Sequence, residues 1–287
     1  MSAAPSPRRW SRRPPRARMG APATERLPML KSHRLPLQFD AAALARDLAR
    51  LRPEDWTPHF NVHHHDGGWS GVALRAPGGD AAKLYPDPDA AEPYADTPFL
   101  ARCPAVAAAL AVLRCPYTSV RLLRLRAGSR IREHRDYDLA FCDGEVRLHV
   151  PVVTHPDVEF VVDGERVELA AGECWYLDFN RPHRVDNRSA VDRVHLVVDC
   201  VVDEWLAAQF PPALRAASLE GREELERFRR LVLDDAALEA ALRDPRERER
   251  FLPRLVRAGR ERGHRFGASE VLEALRDARR GWLERWL

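Results

Sequence analysis

His134, Asp136 and His183 are residues whose types and spacing could hold a metal ion. In an extended segment residues i and i+2 point to the same side, so the His134 imidazole and the Asp136 carboxylate converge on one point. His183 stands forty-seven residues beyond Asp136, in a turn Phe179-Asn180-Arg181-Pro182-His183 that can return a third ligand to the first two. Two neutral imidazoles and one carboxylate form the facial triad that holds iron(II) with coordination positions left open, although zinc can occupy the same ligands. Arg193, ten residues after His183 at the start of the next predicted strand, favours iron. A guanidinium inside a barrel near the metal offers a two-pronged grip on the far carboxylate of a dicarboxylic co-substrate whose other end chelates the metal. That co-substrate would be 2-oxoglutarate. Arg147 and His149 alternate with Leu148 and Val150, so they are expected to face the interior as ligand contacts, the alternative being a buried polar pair.

Other polar and aromatic residues have plainer expectations. Three consecutive histidines, His63-His64-His65, cannot all reach one ion from a strand, whose neighbours point to opposite faces, and a solvated loop is expected there. His155 and His195 are expected to be structural or to lie behind the ligands. Trp69 and Trp175 are expected in the core, since large aromatics mostly supply buried area.

The elements that must position these groups follow from periodicity. Asp40 is a good N-cap for a short amphipathic helix over 39–51, with Leu44, Leu48 and Leu51 on one face. Residues 56–74 suggest strands and tight loops, 76–98 a long Pro/Asp/Gly-rich loop, and 99–113 an alanine-rich helix. Between Ser119 and Val202 the period becomes two, with Asp163-Gly164 as a two-residue hairpin turn between Phe160-Val162 and Val167-Leu169. Such a density of short strands, six to eight of them, predicts a small antiparallel barrel or sandwich. Beyond Asp203 the spacing of Leu225, Phe228, Leu231, Phe251, Leu255, Val271 and Leu275 predicts a helical module.

The stretch from about Leu122 to Asp199 carries Glu-His-Arg-Asp at 133–136, Arg-Leu-His-Val-Pro at 147–151 and Gly-Glu-Cys-Trp-Tyr-Leu at 172–177. Pro-His-Arg-Val at 182–185, Asn187 and Asp-Arg-Val-His-Leu-Val at 192–197 follow in order. Together they closely resemble the aspartyl/asparaginyl beta-hydroxylase family over about 80 residues. That resemblance implies a mainly β fold with α additions: a double-stranded β-helix (jelly roll, cupin-like) followed by a C-terminal helical module. It implies iron(II)- and 2-oxoglutarate-dependent hydroxylation, with His134 and His183 as metal ligands, Arg193 on the distal carboxylate, and Arg147 with His149 at the metal-proximal end. Animal peptide-modifying members lack the carboxylate ligand. Asp136 instead matches bacterial relatives that resemble hydroxylases of free amino acids such as proline. The expected division is an Arg/Pro-rich disordered arm at 1–28, the dioxygenase domain with N-terminal helices at 29–204, and the helical module at 205–287. Residues 228–275 also loosely resemble the helical leader domains of peptide precursors associated with nitrogen fixation, which implies recruitment of a peptide substrate or partner; self-association or a lid are the other expectations for these helices.

Composition bounds the remaining classes. The 287 residues are 45% apolar, enough for a real core. The longest nearly pure apolar run, Ala105 to Leu113, is nine residues, about half of the roughly 20 that cross a bilayer, so no membrane partner is expected. A formal net charge of only +3 gives no field of the kind a dedicated nucleic-acid binder spreads. Five widely spaced cysteines without a C-x-x-C pair fit neither a disulfide framework nor a thiolate zinc site, and a reducing cytoplasm is the expected home. The expected partner is an amino acid or peptide substrate. Two other classes stay open at this point: a non-catalytic cupin-like sensor of a small acid, and a zinc-dependent hydrolase, for which no carboxylate stands ready to activate a metal-bound water.

Overall fold

The computed structural model describes residues 30–59, 64–87, 90, 92–243 and 250–283. The arm expected at 1–28 lies outside them. The described chain opens with strand β1 (Ser32–Gln38), which has no counterpart among the expected elements because its two leucines make too short an alternation. Helix α1 (Ala41–Leu48) follows, started by the Asp40 side chain accepting from the Ala43 amide at 2.9 Å. Strands β2 (Thr57–Pro58), β3 (Trp69–Pro77) and β4 (Tyr94–Asp96) lead to α2 (Pro104–Leu110). That helix is shorter than the 99–113 its alanines suggest. Pro104 has no N–H and disfavours helical backbone at Cys103, so Leu100–Arg102 form only a separate 3₁₀ turn.

Eight strands then follow: β5 (Tyr117–Leu125), β6 (Arg130–His134), β7 (Glu145–Val153), β8 (Val158–Val162), β9 (Glu165–Val167), β10 (Glu173–Leu177), β11 (His183–Asn187) and β12 (Arg193–Val201). They build two antiparallel sheets, one in the order β1-β10-β7-β12-β5-β3-β2 with β4 beside β3, the other β6-β11-β8-β9. This is a double-stranded β-helix, or jelly roll. The β8–β9 hairpin turns at Asp163 (φ 50°) and Gly164 (φ 78°), the pair of positive φ angles that a two-residue turn requires.

Strand alternation separates stability from chemistry. On β5, β7 and β12 the side chains of Val120, Leu122, Val146, Leu148, Val150, Leu196 and Val198 join the larger core, which α1 and α2 cover. The intervening residues Arg121, Arg147, His149, Arg193, His195 and Asp199 are also buried and belong to the opposite face of that sheet. A second apolar cluster that includes Leu123, Leu125, Phe160, Phe179, Val185 and Val197 draws on strands of both sheets.

Helices α3 (Glu204–Ala208), α4 (Pro212–Arg215), α5 (Leu219–Asp234), α6 (Ala236–Leu242), α7 (Phe251–Glu261) and α8 (Ala268–Leu283) complete the fold. Phe228, Leu238 and Leu242 form a small cluster of their own, but Leu252, Val256, Ala268, Val271 and Leu272 join the larger core. Arg260 of α7 ties these helices to the β region through Asp138 at 2.6 Å and Asp143 at 2.9 Å.

Candidate metal centre and its cavity

β6 ends and β11 begins at the same level of the smaller sheet, where His134 and His183 are register partners. Asp136 lies two residues beyond β6, held by its amide donating to the Phe179 carbonyl at 3.0 Å. One ligand atom from each of His134, Asp136 and His183 lies within 4.8 Å of the others, so the three predicted ligands do meet.

The donor chemistry fits a divalent ion. Nδ1 of His134 faces the Arg132 carbonyl at 2.8 Å and Nδ1 of His183 faces the Arg181 carbonyl at 3.0 Å. A carbonyl only accepts, so each Nδ1 carries the proton and each Nε2 is left with its lone pair, the arrangement typical of ligating histidines. Burial, and then the neighbouring His134, push the His183 imidazole down to about 4, so it is neutral at ordinary pH. Arg147 Nη1 donates to Asp136 Oδ2 at 2.5 Å, while Asp136 Oδ1 stands 4.0 Å from His134 Nε2. Burial alone would raise the Asp136 carboxyl, but Arg147 and the two histidines together hold it below its ordinary value.

Arg147 is in turn held by Asp199, which is 0% exposed, through Nε at 2.7 Å and Nη2 at 3.1 Å. Arg121 reaches the same carboxylate at 2.7 Å. The predicted contact residue Arg147 thus spends most of its donors on Asp199 and on the metal-site carboxylate.

Arg193 is different. Its side chain is buried over the face of Phe160 with 2% exposure, and no carboxylate among the described residues lies within ion-pair distance. Burial pulls its guanidinium down to about 9. Nη2 donates to His195 Nδ1 at 2.7 Å, and the buried Nε has no partner among the described residues. Because His195 Nδ1 must accept, the 3.2 Å contact with His149 Nδ1 requires the proton to sit on His149. That leaves His149 Nε2 as a buried lone pair without a donor. Desolvation pushes both rings well below the usual imidazole range, so both are neutral. His195 therefore has a task that its alternation could not reveal.

His134, Asp136 and His183, together with Arg147, His149 and Arg193, line one cavity of about 390 Å³. His64 and Trp69, the latter in the core as expected, also line it. His64 stacks on His134 with ring centroids 4.7 Å apart, and Trp69 is buried beside it. The solvated-loop expectation is corrected for His64 and His65: His65 is buried, bridges to Ile131, and its Nε2 meets the His59 carbonyl at 3.1 Å. His63 lies outside the described residues. No helix among the described residues is long and apolar enough to cross a membrane.

The double-stranded β-helix thus brings two histidines and a carboxylate together at one end of its interior, with a buried arginine in the same cavity. The sequence profile of the family described as aspartyl/asparaginyl beta-hydroxylase matches residues 38–202. The chain belongs to that family. It is 27% identical over 168 residues to an L-proline cis-4-hydroxylase of Rhizobium meliloti, an alignment covering 57% of this chain and 58% of that protein. The chain therefore spans under two thirds of the length of this relative. Among solved structures it is similar to a 2OG-Fe(II) oxygenase-family oxidoreductase of Burkholderia pseudomallei (20% identity, 60% of this chain and 85% of that one, TM-score 0.40). It is also similar to a prolyl-4-hydroxylase of Pseudomonas putida (17% identity, 60% and 92%, TM-score 0.37).

Proposed function

We propose that this chain hydroxylates an aspartyl, asparaginyl or prolyl carbon of a free amino acid or peptide, with His134, Asp136 and His183 holding iron(II). The observation that carries the reading is the convergence of those three ligand atoms within 4.8 Å in the cavity that also contains the ion-pair-free guanidinium of Arg193. When bound, the iron and 2-oxoglutarate supply the oxidising power: oxygen is consumed, the keto acid is split to succinate and carbon dioxide, and one oxygen atom enters a C–H bond of the substrate.

The protein's part is binding, orientation and exclusion of water. Arg193 grips the distal carboxylate of 2-oxoglutarate and finds there the counter-charge that the protein withholds. His195 fixes the guanidinium plane from behind. His149 presents its Nε2 lone pair to the same ligand region, and Arg147 contributes positive charge at the metal-proximal end while holding Asp136. Phe160, Phe179 and Trp69 keep the surrounding wall apolar. The proline hydroxylase among the relatives supports an amino-acid substrate, and the family name supports an aspartyl or asparaginyl one. A reducing, cytoplasmic setting fits the free state of all five cysteines.

The test is succinate formation from 2-oxoglutarate with a panel of amino acids and peptides, read together with a gain of one oxygen by mass spectrometry. Iron dependence, and loss of turnover in His183→Ala and Asp136→Ala, are the expected results. Tight 2-oxoglutarate binding without turnover across the panel would replace the enzyme by a small-acid sensor.

A further inference from the structure

The cavity has a wall that the family match at 38–202 does not include. Arg250, Pro253, Arg254, Arg257 and Arg260 line it from α7 and the residue before it. Their spacing of three and four places them on one helical stripe, while the buried Leu252, Val256 and Gly259 occupy the other side. The two ends of the stripe are stapled to the β region: Arg250 to Glu145 at 3.6 Å, Arg260 to Asp138 and Asp143. Arg254 lies between them. Its Nη2 donates to the Ala241 carbonyl at 2.7 Å, and its Nη1 is buried with no hydrogen-bond partner among the described residues.

Charge points the same way. Among the described residues the cavity is lined by eight arginines and only four carboxylates, one of them the metal-site Asp136. Arg121 and Arg147 share Asp199 behind the lining, and Arg250 and Arg260 pair with Glu145, Asp138 and Asp143, so the buried Nη1 of Arg254 is a donor in this wall that no acceptor among the described residues meets. A buried donor of this kind is satisfied by an acceptor placed against it and costly without one.

We infer that α7 is a substrate-binding element, in which Arg254 and Arg257 form a subsite for a side-chain carboxylate of the substrate. The inference rests on the hydroxylase reading and narrows it: the substrate is acidic, and the C-terminal helices select it. The guanidinium fork suits a carboxylate, whereas an amide at that place presents N–H groups to N–H groups.

The experiment measures equilibrium binding to the full chain in the presence of manganese(II) and 2-oxoglutarate under nitrogen, with the affinities for both recorded first. The probes are L-aspartate against L-asparagine, and the doubly capped tripeptide Ala-Asp-Ala against Ala-Asn-Ala. At least one acidic member is expected to bind tenfold or more tightly than its amide, and which pair does so separates a free amino acid from a peptide. Arg254→Gln with Arg257→Gln is expected to bring the ratio near one while 2-oxoglutarate affinity changes less than twofold. Arg254→Lys with Arg257→Lys keeps the charge and is expected to keep the acid preference, which a purely structural role for the Ala241 contact would not predict. Equal binding of acid and amide, no binding of either acid, or an unchanged ratio in the glutamine variant overturns the inference. Failure to bind manganese and 2-oxoglutarate instead counts against the hydroxylase reading, and the acid-to-amide ratio remains readable in that event.

Discussion

Arg147 donates to Oδ2 of Asp136 at 2.5 Å and leaves Oδ1 on the side of His134, so the carboxylate is held by one oxygen and offers the other to the candidate metal position. Groups that orient a ligating side chain from behind contribute about 10- to 100-fold to metal affinity. Arg147→Met is therefore expected to weaken manganese(II) binding by about that factor. Asp199 keeps Arg121 as a partner in the variant, so the protein is expected to fold, at a cost of about 3 kcal/mol for disrupting a buried charge network. A manganese titration followed by calorimetry, paired with a urea melt, separates the two effects. Wild-type metal affinity in a destabilised variant would show that Arg147 is structural only.

The isolation of Arg193 has the opposite consequence for stability. A buried guanidinium without a carboxylate is a cost of the empty protein, and replacing such charges with apolar groups of similar volume commonly stabilises by about 1–4 kcal/mol. Arg193→Met is expected to raise the melting temperature of the ligand-free protein by several degrees and to abolish the further rise that 2-oxoglutarate gives the wild type. Thermal melts with and without 2-oxoglutarate check both halves at once. A variant that melts lower in the empty state would mean that Arg193 already has its counter-charge.

The sequence and the folded site agree where geometry is local. His134 and Asp136 share a face because they are two apart in extended chain, and His183 and Arg193 open the strands β11 and β12 that their spacing implies. What stayed hidden depends on pairing between distant strands. Asp199 clamps Arg147 because β12 and β7 run side by side with those two residues in register. His64 reaches His134 because a bridge between His65 and Ile131 docks that loop on β6. Neither register is written in a local pattern. The same holds for α7: its periodicity shows an apolar stripe and a basic stripe, but not that Leu252 and Val256 join the main core and thereby turn the arginines toward the cavity.

Acid should unfold the metal-free protein through its buried histidines. His149 and His195 titrate well below the usual range and His183 near about 4, in each case with burial as the first cause. In the unfolded chain an imidazole titrates near about 6.5. Below that value the unfolded state takes up protons that the native state refuses, so stability falls as pH falls, and for His183 the loss levels off below about 4. Each ring contributes up to about 1.4 kcal/mol per pH unit, or about 4 kcal/mol per unit for the three together. Urea unfolding at pH 7.0 and 5.5 measures the slope. His59, which burial pushes down to about 3, adds a fourth ring, so His195→Gln is expected to flatten the slope by about one quarter, and a wild-type protein equally stable at both values would contradict neutral burial of these rings.

Docking of α7 can be loosened at a glycine that does not itself line the cavity. Gly144, at the end of the turn before β7, has φ of +87°, and a Cβ there would lie 2.1 Å from Leu252 Cδ2 and 3.2 Å from Pro253. Gly144→Ala thus combines left-handed backbone strain with an overlap against the first turn of α7, a cost of about 1–3 kcal/mol. Because the arginine stripe rides on that helix, the variant is expected to raise KM for an acidic substrate while leaving 2-oxoglutarate affinity nearly unchanged. Hydrogen exchange resolves the mechanism: the amides of residues 251–261 should exchange faster, and those of β12 should not. Uniform acceleration across the sheet would instead mean that the helix and the jelly roll open as one cooperative unit, and the selective effect on KM would then be lost.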